Sequence, residues 1–417
     1  MSPPVGIDKI AVNPCTLALD MRSLVEARGA DPDEVCGDMM IDERSLNPPW
    51  EDPVTLAVNA CRDLLTDDER ERVGLLLVGS ESGPDQEKAL SSWIRRYAGL
   101  GDHCRNLEVK HACYAGTGAL HLAAHWLLGQ PDDALALVVT TDESRQHFHR
   151  PWEFVMGAGA VAMLISRDPR FLSLELDLGG VYAYEVSDLT RPTSRVEAGH
   201  SETSLLSYLD AVDLTFQRYI GQVADRRDTE IGSLEQLRAW MPYQVYHAPF
   251  GGITARAHRA LHRALGELDS GACRAEFVSL IEPTLRHNRR MGGTYAASVY
   301  ISLLGTIDAF GHSVLGERVG VYSYGSGSCA EFFGGVFGEG AVGEAGRADL
   351  DRLLSERRGI SVREYEEAER ERTAFVDAGD FRTSLDGHDG WYADRYRGRG
   401  LLTYRGARDY ERLYEWS

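Results

Sequence analysis

Three residues stand where an α/β chain places reactive groups. Cys113 lies in LEVKHACYAGTGALHLAAHWLLG (107–129), between a short extended run and an apolar segment with Leu120, Ala123, Ala124 and Leu127 at helical spacing. Gly116, Thr117 and Gly118 follow the thiol, so other backbone or a substrate can come close. Strand, cysteine, tight turn and buried helix predict a nucleophile elbow, with the helix N-terminus favouring the thiolate. Glu81 follows the apolar run GLLLVGS, and His247 ends QVYH just before APFGG. A thiolate accepts an acyl group, an imidazole polarises a carbonyl, and a carboxylate removes a proton alpha to a thioester. The set suits acyl transfer followed by carbon–carbon bond formation. Each residue alone also reads as an ordinary core cysteine, loop glutamate or structural histidine.

The elements that must position them read as a layered α/β fold. Val5–Val12 is a first strand. VGLLLVGSES and ALALVVTTDES are continuous apolar strands of the parallel, doubly covered type with polar tips. GAGAVAMLIS is a third strand, entered through small residues and lacking the spacing of a dinucleotide loop. Helices are expected over Leu17–Arg28, from Asp52 or Pro53 to Leu65, and over Lys88–Tyr97. Beyond Arg167, FLSLELDLGGVYAY predicts longer, partly exposed strands. Helices follow over Ser204–Val223, Ser233–Met241, Ala255–Leu268, Tyr295–Phe310 and Gly346–Arg372. RVGVYSYGSGSCAEFFGGVF predicts a strand pair around a glycine–serine turn. The second half repeats strand, polar tip, helix, which implies two fused halves: 1–168 with Glu81 and Cys113, and 169–417 with His247 and Ser326. Functional groups in such folds gather beyond the carboxyl ends of the strands.

Composition narrows the function classes. The chain has 417 residues and a formal net charge of -20, which argues against nucleic acid and anionic membrane surfaces. No apolar run reaches membrane-spanning length. The seven cysteines form no CxxC pair, so zinc is not expected. The odd count and the lack of a signal peptide suggest a reducing cytoplasm.

In register with the three polar tips run SES (80–82), HACYAGTGAL (111–120), GAGAVAMLI (157–165), SYLDAVD (207–213), YHAPFGG (246–252), GGTYAASVYISL (292–303) and YSYGSG (322–327). In these motifs and their order the chain resembles the 3-hydroxy-3-methylglutaryl-CoA synthase family of thiolase-like condensing enzymes. The resemblance implies a thiolase-like fold of two α/β halves in α-β-α-β-α layers. It implies that Cys113 carries an acetyl thioester, that Glu81 is the general base that forms its enolate, and that His247 polarises the β-ketone of the acceptor. Ser326 would hold the acyl chain or ordered water, and backbone amides around Cys113 and Ser326 would form an oxyanion hole. Gly325, Gly293, Ser207 and Asp142 lie in matching segments and are expected to line the substrate site. No metal or bound organic cofactor is implied; the substrates are phosphopantetheine-tethered acyl groups. A homodimer is implied as well.

Two departures point within the family. Gly252 stands where the primary-metabolism enzymes carry a lysine after HxPF, and Gly293 where they carry an asparagine. The PFGG form resembles the branch that installs β-branches on polyketide chains held by donor and acceptor acyl carrier proteins. The basic residues of Ala255–Leu268 (Arg256, His258, Arg259, His262 and Arg263) form a face that could meet an acidic carrier protein, or be a solvated helix face. The alternatives are the free-CoA enzyme of isoprenoid precursor synthesis, a synthase III-like acyltransferase, which Glu81 argues against, and a non-enzymatic scaffold. His111 reads as packing beside the strand. HNRRMGG reads as a phosphate contact or a surface turn, and HRPWEF as a tunnel lining or core closure.

Overall fold

The computed structural model describes residues 4–383 and 389–417. Nine strands form one mixed sheet: β1 Gly6–Asn13, β2 Val73–Gly79, β3 Arg105–Val109, β4 Leu135–Glu143, β5 Ala158–Ser166, β6 Leu172–Ala183, β7 Tyr243–Tyr246, β8 Arg318–Gly325 and β9 Cys329–Phe337. Their order is β7-β8-β9-β6-β1-β5-β4-β2-β3. The strands that end at the expected reactive tips run parallel: β2 beside β3 and β4, and β7 beside β8. The two parts of the sheet are joined where β1 meets β6, Gly6 and Ile7 pairing with Ser173 and Leu172.

Among the helices that cover the sheet are α1 Pro53–Arg62, α2 Leu90–Tyr97, α3 Ala115–Leu127, α4 Ser201–Arg227, α5 Gly251–Ala264 and α6 Ser298–Phe310. Their burial follows from composition. The apolar helices α3 and α6 lie in the middle, with Leu120, Ala124, Ile301 and Leu304 packed against Leu77, Val138, Val321 and Phe333 from both parts of the sheet. α1 and α2 close one outer face around Leu76, Leu137 and Leu164. α4 and α5 close the other around Tyr322 and Phe332. The result is the expected α-β-α-β-α layering, with the Cys113 helix in the central layer.

Two expectations fail for one reason. Leu17–Asp20 is a strand, and the helix begins only at Met21, capped by the Asp20 carboxylate. The Gly346–Arg372 stretch is broken by the strand Arg358–Ile360, between a helix ending at Ser355 and one starting at Val362. Arg358–Ile360 pairs in parallel with Leu17–Leu19, more than 300 residues away in the chain. Long-range pairing overrides helical periodicity in both segments. Among the described residues, no helix is long and apolar enough to cross a membrane.

Candidate active site

Cys113 sits in the turn between β3 and α3. The preceding residue, Ala112, has φ 42°, a left-handed conformation costly for a residue with a Cβ. The turn is closed by Tyr114 N–H to His111 O at 3.1 Å and Ala115 N–H to Ala112 O at 3.1 Å. Those two amides are therefore spent within the turn. β8 backs onto it at Gly325, where an added Cβ would lie 2.4 Å from His111 O and 2.6 Å from Tyr114 N. Only glycine allows this approach, so the SYGSG turn and the thiol share one rim. Ser326 is half-buried at that turn.

Glu81 Oε2 lies 3.8 Å from Cys113 Sγ. The glutamate follows β2 and is held from the end of the neighbouring strand β4. Asp142 Oδ1 accepts the Glu81 backbone N–H at 2.9 Å, Ser80 Oγ at 3.1 Å and Ser82 Oγ at 2.8 Å. Asp142 thus shapes the loop that aims Glu81. Burial raises the Cys113 thiol well above its ordinary range, and the carboxylates of Glu81, Asp142 and Glu197 raise it further. The helix N-terminus does not prevail over this environment, so the expectation of a favoured thiolate is corrected. Burial also raises Glu81, to about 8, with Arg191 opposing and Asp142 and Glu197 reinforcing the shift. Near neutral pH Glu81 keeps a proton that a solvated carboxyl would have released.

His247 is buried at the end of β7, its N–H bound to Tyr322 O on β8 at 2.7 Å. Burial depresses the imidazole to about 3, so it is neutral. Ser298 Oγ at the start of α6 lies 2.7 Å from Nδ1 and accepts the Ala248 N–H at 3.3 Å. The Ser298 hydroxyl can donate to Nδ1, a contact compatible with the ring proton on Nε2. The Tyr208 hydroxyl donates to His247 O at 2.7 Å. The helix of Cys113 meets the same strand end through Thr117 Oγ1 and Ser323 Oγ, 2.9 Å apart.

Other expected positions divide. Ser207, buried on α4, reaches the Tyr324 hydroxyl, one residue before Gly325. His111 is half-buried against Tyr114. The arginines of HNRRMGG are taken up in ion pairs, Arg289 with Asp42 and Arg290 with Glu43 and Asp351, which makes it a structural turn. The basic face on α5 splits: Arg256, Arg259 and Arg263 are exposed, whereas His258 and His262 are buried.

Sequence reasoning missed the cover of the site. Arg191 donates to Glu81 O at 2.9 Å and Ser82 Oγ at 3.1 Å, and pairs with Glu197 at 3.1 Å. Glu197 in turn meets His147 at 3.0 Å and Tyr295 at 3.4 Å. Asp188 binds the Tyr324 hydroxyl and the Gly327 N–H at 2.8 and 2.9 Å. No local pattern marks Arg191, Glu197 or Asp188. Ser298 was within a recognisable stretch, GGTYAAS, but its partner is 51 residues away.

The departures have steric causes. A Cβ at Gly252 would lie 1.9 Å from Asp38 O, so no side chain fits there without displacing backbone. At Gly293 it would lie 2.7 Å from Pro249 O and 2.9 Å from Val155 O.

Comparison with known proteins agrees with this geometry. Residues 259–392 match the family model for the hydroxymethylglutaryl-coenzyme A synthase C-terminal region. The chain is 34% identical over 377 residues to the polyketide biosynthesis 3-hydroxy-3-methylglutaryl-ACP synthase PksG of Bacillus subtilis, covering 87% of both. It is 30% identical to the hydroxymethylglutaryl-CoA synthase of Enterococcus faecalis, covering 87% of this chain and 90% of that one. The HMG synthase of the curacin biosynthetic pathway superposes with a TM-score of 0.91 at 33% identity, over 99% of this chain and 100% of that one. That synthase has also been solved with an acetyl donor-ACP. The chain belongs to the hydroxymethylglutaryl-CoA synthase family of acyl-condensing enzymes, with their thiolase-like fold.

Proposed function

We propose that this enzyme is a β-branching synthase that uses carrier-protein substrates, with Cys113, Glu81 and His247 as its catalytic residues. The observation that carries the proposal is the Cys113–Glu81 contact at 3.8 Å. Acetyl passes from the phosphopantetheine thiol of a donor carrier protein to Cys113 Sγ, and the carrier thiol leaves with the cysteine proton. The Glu81 carboxylate then removes a methyl proton from acetyl-Cys113. The enolate attacks the β-ketone of an acceptor-bound chain, whose oxygen receives the His247 Nε2–H bond. The alkoxide takes up the proton held by Glu81. Water cleaves the Cys113 thioester, leaving a 3-hydroxy-3-carboxymethyl acyl thioester on the acceptor carrier.

Catalytic groups come from both expected halves, 1–168 and 169–417. Ser326, Gly325, Ser207, Asp142 and Gly293 shape the site around them. The backbone amides near Cys113 and Ser326 that the turns leave free would meet the thioester oxygen. The scheme requires no metal or resident organic cofactor. A neutral His247 fits a hydrogen-bond donor to a ketone, since a proton donated outright would leave an imidazolate.

Carrier protein is favoured over free CoA by Gly252. The position that carries a lysine in the CoA-using enzymes is closed by the Asp38 carbonyl, 1.9 Å from where a Cβ would stand. Arg256, Arg259 and Arg263 have no ion-pair partner among the described residues and offer a basic stripe to an acidic carrier helix. We place the enzyme in the cytoplasm as a homodimer. The test is reconstitution with acetyl-donor carrier protein and a β-ketoacyl acceptor carrier, read by the mass of the acceptor. The branched hydroxy acid on the acceptor supports the proposal. A decarboxylative condensation product, or no change with an acetylated enzyme, overturns it.

A further inference from the structure

Helix α5 begins four residues after His247 and carries His258 and His262 one turn apart on its buried face. The helix that follows, Ser270–Glu276, brings Cys273 against them. One ligand atom from each of His258, His262 and Cys273 lies within 4.8 Å of the others. All three side chains are at most 6% exposed. His258 Nε2 and His262 Nδ1 are buried without a hydrogen-bond partner. Such groups are costly to bury unless something occupies their lone pairs. A fourth donor is at hand: Glu276 Oε2 lies 3.3 Å from His262 Nε2, and the carboxylate is also paired with Arg238.

We infer that His258, His262, Cys273 and Glu276 form a zinc site outside the active site. Two histidines at i and i+4, one thiolate and one carboxylate are four donors of the types zinc takes, enough to fill a tetrahedral shell. Zinc–ligand distances near 2.0–2.3 Å put neighbouring donors roughly 3.5 Å apart. The three clustered donors must draw inward by about 1 Å to close on an ion, and Glu276 must turn from Arg238 to complete the shell. His258 Nδ1 lies 3.1 Å from the Tyr246 hydroxyl, which orients the ring and leaves Nε2 for the metal. Binding converts the Cys273 thiol to a zinc thiolate and releases its proton to solvent. The ion pins α5 to Ser270–Glu276 and, through His258 and Tyr246, braces the strand end that carries His247. It takes no part in the condensation.

The test uses the full chain with any affinity tag removed. Zinc content is measured after purification and after reconstitution with zinc, and the metal-free protein is titrated with Co2+. The site predicts about one zinc per chain and a thiolate-to-cobalt charge-transfer band at about one equivalent. In Cys273→Ser the charge-transfer band disappears while the protein remains folded by circular dichroism. In His262→Ala tight binding is lost, and zinc no longer raises the melting temperature. Less than about a tenth of an equivalent in the reconstituted wild type overturns the inference. A band that survives Cys273→Ser and vanishes in Cys113→Ala also overturns it, by assigning the metal to the active-site thiol. Acyl loading, measured in parallel, reports on the proposed condensation separately.

Discussion

Replacing Gly325 by alanine tests whether β8 positions Cys113, the proposed nucleophile. The added Cβ would lie 2.4 Å from His111 O, 2.6 Å from Tyr114 N and 2.7 Å from Tyr114 Cβ, whereas real contacts of this kind essentially never fall below 3.0 Å. The atoms in the way are mostly backbone on both sides of Cys113, so no side-chain rotation relieves them. The turn must retreat by about 0.6 Å or β8 must bend. Overpacking of this kind costs about 1–3 kcal/mol. A misplacement approaching 1 Å at a reacting group costs about 10²-fold in rate. Acetyl loading of Gly325→Ala is therefore expected to fall about 10- to 100-fold, with a melting temperature a few degrees lower. Gly346→Ala is the control: Gly346 is exposed within the helix Ala341–Ala348 with nothing near its Cβ position, and alanine there adds up to about 1 kcal/mol. Loading is followed by rapid-quench intact-protein mass spectrometry. A Gly325→Ala enzyme that loads at the wild-type rate would refute the coupling of β8 to the thiol.

Further outcomes follow from the same geometry. Glu81→Gln should still accept acetyl on Cys113 but lose about 10²- to 10⁴-fold in condensation, seen in single turnovers with an acceptor; equal loss in both steps would contradict its role. Because Glu81 is raised to about 8, condensation should climb as pH rises through that value. Between its ordinary 4.5 and about 8 the folded chain keeps a proton that the unfolded chain has released, so this group's contribution to stability declines as pH rises through that window. Glu81→Gln should flatten the decline in a pH series of thermal melts. Ser298→Ala removes the partner of His247 Nδ1 and should slow condensation up to about tenfold without slowing loading, in line with about 0.5–1.5 kcal/mol for one hydrogen bond. Reversing charge at Arg259 should weaken loading from carrier protein at low salt while leaving loading from acetyl-CoA unchanged; an equal effect on both donors would remove α5 as the docking surface.

The positions of Glu81 and His247 were legible because they follow buried strands, and that of Cys113 because small residues and an apolar helix follow its short extended run. A layered α/β fold collects such strand ends at one rim. What encloses them was not. Arg191 reaches Glu81 across 110 residues, and a surface arginine looks the same in sequence as a buried one. The acidity of Cys113 was not legible because the helix N-terminus is a local signal, while burial and then the carboxylates of Glu81, Asp142 and Glu197 come from the rest of the fold. The Leu17–Asp20 and Arg358–Ile360 strands each depend on the other, so neither shows in its own periodicity. The histidines of α5 were read as part of a basic face because arginines surround them. Their spacing, a full turn apart on the apolar side, carried the information that they point inward.

The central claim is that Cys113 takes acetyl from a carrier protein. Intact-protein mass spectrometry of wild type and Cys113→Ala, each mixed with acetyl-carrier protein or with acetyl-CoA, tests it most directly. The account predicts an acetyl adduct on the wild type, formed faster from the carrier protein and absent from Cys113→Ala. Equal or faster loading from acetyl-CoA, or an adduct that persists without the thiol, would contradict it.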